Sequence, residues 1–232
     1  MYHNINSDKY SNNLEIFKKH LIYIKNNFNI VFPNDKLKGD DICLTFDDGF
    51  YNFYIYVFPL LQELNIKVIL AVPTAFILDD TKELKEHRLR IKHDDTYTNI
   101  QKAPFCTFKE LKIMSDSGHV KIASHSHSHV NLNKCDNLEF ELKQSKKILE
   151  NKLNIVCDTF IFPFGKYNDD ILKQTKKYYK YQFRIGNAIN NNFDGINDVI
   201  YRINADSLKN HNELFSIKNM IKYKIKYYIK SI

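Results

Sequence analysis

Tryptophan is missing altogether from the 232 residues, glycine and proline number only 6 and 5, and no two of the four cysteines stand in a CxxC spacing. Each shortage closes off a class of answer. So little Gly and Pro leaves scant material for a flexible linker, and a chain of this length can close around one core before it must divide, so one domain over 1–232 is expected. Cys43, Cys106, Cys135 and Cys157 lie far apart, which argues against a zinc ribbon or a thioredoxin-like centre. Cys43 and Cys157 fall within apolar runs, where a buried, inert thiol is expected. No stretch approaches the roughly 18 uninterrupted apolar residues of a membrane span. The opening MYHNINSDKYSNN has neither the basic nor the apolar region of a secretory leader, and the expectation is a cytoplasmic chain with reduced thiols. Arginine is scarce as well. Lys and Arg total 34 against 27 Asp and Glu, a net charge of +7, yet only Arg88, Arg90, Arg184 and Arg202 carry the fork that nucleic-acid readers use. No nucleic-acid partner is expected, and lysine beside abundant Asn and Ile fits the codon bias of an AT-rich genome.

What is plentiful is aromatic and aliphatic surface, with 17 Phe and 15 Tyr, enough burial to exclude a disordered chain. Its spacing alternates between two periods. Leu14 to Asn27, Phe50 to Leu64, Phe108 to Ser115, Asn137 to Leu153 and Asp169 to Tyr179 read as helices. Between them, Asp41 to Phe46, Lys67 to Val72, His119 to Ser124 and Val156 to Phe162 read as strands, followed by Tyr181 to Ile185 and Val199 to Ile203. Repeated strand–helix–strand predicts a parallel sheet, as an α/β barrel or an open sheet. The polar stretch 79–101 reads as an insertion loop. In both architectures functional residues gather where strands end on their carboxyl side.

Three such ends carry unusual chemistry. Thr45-Phe46-Asp47-Asp48-Gly49 sets two carboxylates side by side after an apolar strand; each would raise the other's pKa unless a cation lies between them. By itself Asp-Asp-Gly is also an ordinary turn that caps a helix. Ser124 to His129 then puts three of the nine histidines into five positions, and His125 and His129, four apart, can face one ion. With one carboxylate they would form a two-His, one-Asp set that leaves room for water; a surface histidine-rich loop is the plainer alternative. His127 has no ligand role in this reading. Last, Phe160 to Asn168 ends a strand in Pro163-Phe164-Gly165, where a fixed backbone could hold the Phe164 N–H toward a developing oxyanion.

TFDDG, SHSxSH and FxxPFGxxN, in that order and each at a strand end, resemble the NodB-homology polysaccharide deacetylases, metal-dependent carbohydrate esterases. The likeness runs from Thr45 to Asn168. The opening Met1-Tyr2-His3-Asn4-Ile5 is similar to the Tyr-His segment of the branch that acts on poly-N-acetylglucosamine. The resemblance implies a distorted (β/α) barrel that hydrolyses N-acetyl, or less often O-acetyl, groups of a sugar or glycan. It implies Asp47 as general base, and Asp48, His125 and His129 as ligands of a divalent metal, zinc first, with cobalt, nickel or manganese as alternatives. Phe164 would supply the oxyanion donor, and Pro163 with Phe164 would line the substrate site. The absence of a leader favours a precursor of a surface glycan over finished cell-wall polymer.

The chain departs from the family pattern in places. Many members orient the base with an Arg where Ile161 stands, and Arg202 is the candidate replacement. An Asp-Trp element is absent, there being no Trp. For the general acid, His3 and His211 are the candidates. Two rival readings remain: a metal-dependent amidohydrolase acting on a small non-sugar amide, and a non-catalytic carbohydrate-binding relative. Finally, 214–232 reads as a basic amphipathic helix, with Ile217, Met220, Ile221, Ile225, Tyr228, Ile229 and Ile232 near one face among lysines. It either packs that face on the barrel or touches the inner face of a membrane.

Overall fold

The computed structural model describes residues 1–232. Four two-residue strands make small pairs at the edges: β1 (Asn4–Ile5) with β2 (Ser11–Asn12), and β3 (Asn29–Ile30) with β4 (Asp41–Ile42). The main sheet is built from β5 (Thr45–Phe46), β6 (Val68–Val72), β7 (Val120–Ser124), β8 (Thr159–Ile161), β9 (Tyr181–Ile185) and β10 (Ile200–Arg202). All six are parallel, and their order in the sheet is their order in the chain. Because every connection advances in the same sense, there is no point where the winding reverses, and the sheet curls into a barrel wall. Of the two architectures the alternation allowed, the barrel is the one formed.

Strand β6 shows why these runs read as continuously apolar. All five of its residues are buried. Val68, Leu70 and Val72 face outward into a core of 36 buried residues beneath the helices. Ile69 and Ala71 face inward to a second cluster with Ala123, Ile161, Phe183 and Ile200. A strand covered on both sides has no wet face, so its pattern cannot alternate.

The outer layer consists of α1 (Leu14–Asn27), α2 (Phe58–Leu64), α4 (Phe108–Asp116), α5 (Leu138–Leu153) and α6 (Asp169–Thr175), with the short α3 (Lys85–Leu89) and the C-terminal α7 (Ile217–Ser231). Caps explain several boundaries. Asn13 accepts from the amides of Glu15 and Ile16, and Thr107 with Glu110 forms a reciprocal capping box. The single helix expected over Phe50 to Leu64 is instead a π-helical turn, Phe53–Val57, running into α2. At the C-terminus, 213–215 form a separate 3₁₀ turn, and Ser216 caps α7, which is shorter than the 214–232 expected.

Between β5 and β10 the wall has a seam, and the N-terminal segment lies in it. Tyr2 donates its N–H to Thr45 O and accepts from Asp47 N, both at 2.9 Å, while Ala205 N donates to Met1 O at 2.9 Å. Residues 1–3 therefore bridge the first and last strands of the sheet. This places His3 at the top of the barrel.

The stretch 79–101 is more ordered than the loop its polarity suggested. It contains α3 and two 3₁₀ turns, His93–Thr98 and Ile100–Lys102. Arg88 anchors it. Its guanidinium is buried, bonds both oxygens of Glu110 at 2.7 and 2.9 Å, donates to the carbonyls of Ala103 and Phe105, and lies 3.3 Å from the Tyr51 ring centroid. A buried pair broken from one side leaves an unpaired charge. Arg88→Met is therefore expected to cost about 3 kcal/mol in urea unfolding; a loss under about 0.5 kcal/mol would show that the pair does not hold this segment.

Candidate active site

The three motif-bearing strand ends converge on one open cleft of about 770 Å³, lined among others by His3, Asp47, Asp48, Tyr97, His125, His129, Phe164 and Arg202. Backbone conformation aims the two acids. Asp48 and Gly49 are both left-handed, at φ 69° and 68°, and a Cβ on Gly49 would stand 2.5 Å from Val72 Cγ1. Only glycine fits there, and the tight turn lets adjacent carboxylates face one site rather than opposite sides of a strand.

Both acids are 4% exposed, but their surroundings differ. Asp47 is gripped end-on by Arg202: Nη1 donates to Oδ1 at 2.6 Å and Nη2 to Oδ2 at 2.8 Å, with Nη1 also reaching Thr45 Oγ1 at 3.0 Å. Burial alone would raise the Asp47 pKa, but the charge and hydrogen bonds of Arg202 outweigh it and hold the carboxyl well below the usual range. Ile161 sits inside the barrel, and the guanidinium on Asp47 comes from β10.

Asp48 faces the histidines. Its Oδ1 lies 3.6 Å from His125 Nε2 and 3.3 Å from His129 Nε2. His125 Nδ1–H donates to Ile161 O at 2.7 Å, which leaves the Nε2 lone pair toward Asp48. Burial holds both imidazoles low, at about 4, and therefore neutral. The three ligand atoms lie within 4.8 Å of one another. Bonds of about 2.0–2.1 Å to a tetrahedral ion span an edge of roughly 3.4 Å, so this spacing and this donor set fit a divalent metal. His127 points elsewhere, its Nδ1 2.9 Å from Thr74 Oγ1.

Phe164 is left-handed, at φ 57°, and its N–H donates to no acceptor of the chain. Such a conformation in a non-glycine residue costs energy and is held by its neighbours: Pro163 before it, and Gly165, where a Cβ would meet Ile185 Cγ2 at 2.7 Å. Pro163, expected to touch substrate, is buried and does not line the cleft. It shapes the turn from below.

Four contributors had no role in the sequence reading. Tyr97, from the 79–101 stretch, donates its hydroxyl to Asp48 Oδ1 at 3.1 Å and stacks on His129 at 5.1 Å, while Phe164 flanks the same ring at 4.8 Å. Glu141 of α5 is buried and accepts from the amides of His127 and Ser128 at 2.9 and 2.8 Å, pinning the histidine loop. Asp206 accepts from His3 Nδ1 at 2.7 Å and from its backbone N–H at 3.0 Å. Lys9 bonds Asp94, which lines the cleft, joining the N-terminal turn to the 79–101 stretch. A cue for Asp206 lay in its place just after the strand that carries Arg202; Tyr97 and Glu141 had none.

His3 Nε2 stands 4.0 Å from Asp47 Oδ2 inside the cleft. His211, the other candidate acid, lies against α1, its ring 5.8 Å from that of Tyr23, away from the cleft.

The model of the family described as polysaccharide deacetylase matches residues 34–183, well over half the chain. The chain belongs to the polysaccharide deacetylase family. YxkH of Bacillus subtilis (strain 168), named for the same family, is 25% identical over 193 residues, 76% of this chain and 60% of that protein. This chain thus spans less than two thirds of that relative's length. Among solved structures, the Streptococcus pyogenes deacetylase PplD in complex with acetate superposes with a TM-score of 0.75 at 22% identity, over 95% of this chain and 96% of that one. A de-N-acetylase from Aggregatibacter actinomycetemcomitans gives 0.72 at 17% identity, over 96% and 97%. These likenesses establish the curled (β/α) barrel of the family.

Proposed function

We propose that this polysaccharide deacetylase is a metal-dependent hydrolase that removes acetyl groups, N-acetyl foremost, from a sugar or glycan. One observation carries the reading: two adjacent carboxylates are separated in role, Asp47 clamped by Arg202 and Asp48 turned to a pair of neutral imidazoles. Names of the structural relatives, one a de-N-acetylase and one holding acetate, agree with it.

Asp48, His125 and His129 would hold a divalent ion, zinc or one of its neighbours, which would supply Lewis acidity for the ionisation of water near neutral pH and for polarising a carbonyl. The chain's own groups do the rest. Asp47 takes the proton of the attacking water, and Arg202 fixes both of its oxygens so that the base cannot rotate away. Phe164 N–H donates to the oxygen that becomes negative as the acetyl carbon turns tetrahedral. His3, its Nδ1–H committed to Asp206, presents Nε2 to the cleft and gives a proton to the departing nitrogen as the C–N bond breaks. Acetate and a free amine result.

His3 is equipped for that step. Burial works against its charged form, but the hydrogen bond to Asp206 and the charges of Asp47 and Asp48 prevail and raise the imidazole to about 9, so it is an acid at neutral pH. Asp206→Asn removes the chief support of the imidazolium, so the alkaline limb of the kcat profile should move to lower pH. A limb that stays in place would deny His3 the role.

Acetate release from N-acetylglucosamine oligomers, set against O-acetylated sugars, formyl amides and cyclic amides, tests the reading as a whole. N-acetylated sugars should be the preferred class. Preference for a cyclic or formyl amide would favour a small-molecule amidohydrolase, and bound metal without any turnover would favour a binding protein.

A further inference from the structure

Helix α7 has two apolar sides, and only one is used. On the inner side Tyr223 is buried, and Met220 and Tyr223 line an apolar cavity of about 270 Å³ against α1 and β10. Further along that side, Asn191 Nδ2 donates to Tyr227 OH at 2.6 Å, and Lys230 Nζ lies 4.4 Å from the Tyr201 ring centroid. At 100° per residue the opposite side carries Ile217, Ile221, Ile225, Tyr228 and Ile229. These are 82, 53, 52, 67 and 65% exposed, and nothing in the chain covers them. Of the face read in the sequence, Met220 turns inward, and the isoleucines and Tyr228 are left open.

Residues 217–232 include no Asp or Glu, and Lys218, Lys222, Lys224 and Lys226 border the open stripe. We propose that this outer face docks in the plane of an anionic lipid surface. The isoleucines enter the acyl boundary, and the lysines, their stems lying along the helix, reach the headgroup phosphates. No helix is long and apolar enough to cross a membrane, so the contact is peripheral. Charge decides against the alternative cover, a second copy of the chain: pairing two such faces would press two lysine borders of one sign together, whereas a phosphate surface is complementary to them. The carboxyl-terminal end of α7 sits beside Tyr201 and Gly186, next to Ile185 and Arg202, which line the catalytic cleft. This inference goes beyond the catalytic reading and does not depend on it.

Flotation of the full chain with vesicles of one part phosphatidylglycerol to three parts phosphatidylcholine tests it. The protein should float with these vesicles, not with phosphatidylcholine alone, and should release at about 0.5 M salt, where charges a few ångström apart are screened. Ile221→Asp, Ile225→Asp and Ile229→Asp combined leave the inner side of α7 untouched, so they should keep the unfolding midpoint while weakening binding about tenfold or more. Because the chain has no tryptophan, Ile225→Trp adds a sole indole, whose emission should shift to the blue on the anionic vesicles. Wild-type protein left behind by those vesicles would overturn the proposal. So would equal binding by the triple variant, or a dimer in sedimentation velocity that the triple variant dissolves.

Discussion

Asp47→Asn should lower acetate release about a thousandfold or more while bound metal stays at its wild-type amount. The side chain keeps its shape, so the cleft is not remodelled, but an amide cannot take a proton from water at working pH. None of the three ligand atoms belongs to Asp47, which is why metal content should not follow activity. Stability should fall with it. Arg202 would keep one of its two acceptors on residue 47, beside Thr45 Oγ1, and lose its counter-charge while 6% exposed, a change of the kind that costs about 3 kcal/mol. The depressed carboxyl adds a sign to this. Asp47 stabilises the wild type above about pH 4, the unfolded value for Asp, and that contribution fades as the pH falls through its lower folded value. Asp47→Asn should flatten this acid limb. Activity within tenfold of wild type would leave the assignment of the base without support.

His125→Ala should have the second large effect, on metal affinity first and on turnover as its consequence. Removing even an outer partner of a ligand costs roughly 10–100-fold in affinity, so losing the Nε2 donor itself should exceed about a hundredfold. Metal titration by calorimetry reads this directly, and a chelator should silence the wild type in the same assay. The metal-free protein carries a related signature. Burial lowers His125 and His129 to about 4, whereas the unfolded chain takes up those protons near 6.5. Through that window the unfolded state holds more protons, so stability of the metal-free form should fall as the pH drops from about 6.5 to about 4. Unchanged metal affinity in His125→Ala would remove the imidazole from the ligand set.

The parts of this site that could be read in the sequence are those where one position needs one residue type. Gly49 must be glycine because Val72 leaves no room for a Cβ, and Gly165 meets the same limit against Ile185, so both turns stand out as motifs. The strands were legible because burial on both sides makes them uniformly apolar, as β6 shows. Residues whose role arises from distant contacts were not legible. Tyr97 reaches Asp48 only because Arg88, a charge in a polar stretch, is buried against Glu110 and folds that stretch onto the cleft. Asp206 matters only because residues 1–3 fill the seam between β5 and β10, a pairing 203 positions apart in the chain. Helix α7 was legible only in part, for a related reason. Its amphipathic pattern was correctly seen, but two apolar sides share one helix, and composition alone does not say which of them meets the barrel.

The central claim is that Asp48, His125 and His129 hold the ion beside a base and an oxyanion donor. A crystal structure of the full chain grown with zinc and acetate tests it most directly. Anomalous scattering should place one ion within bonding distance of Asp48, His125 Nε2 and His129 Nε2, with an acetate oxygen accepting from Phe164 N–H and Asp47 still clamped by Arg202. An ion bound elsewhere, or these three side chains turned away from it, would contradict the account.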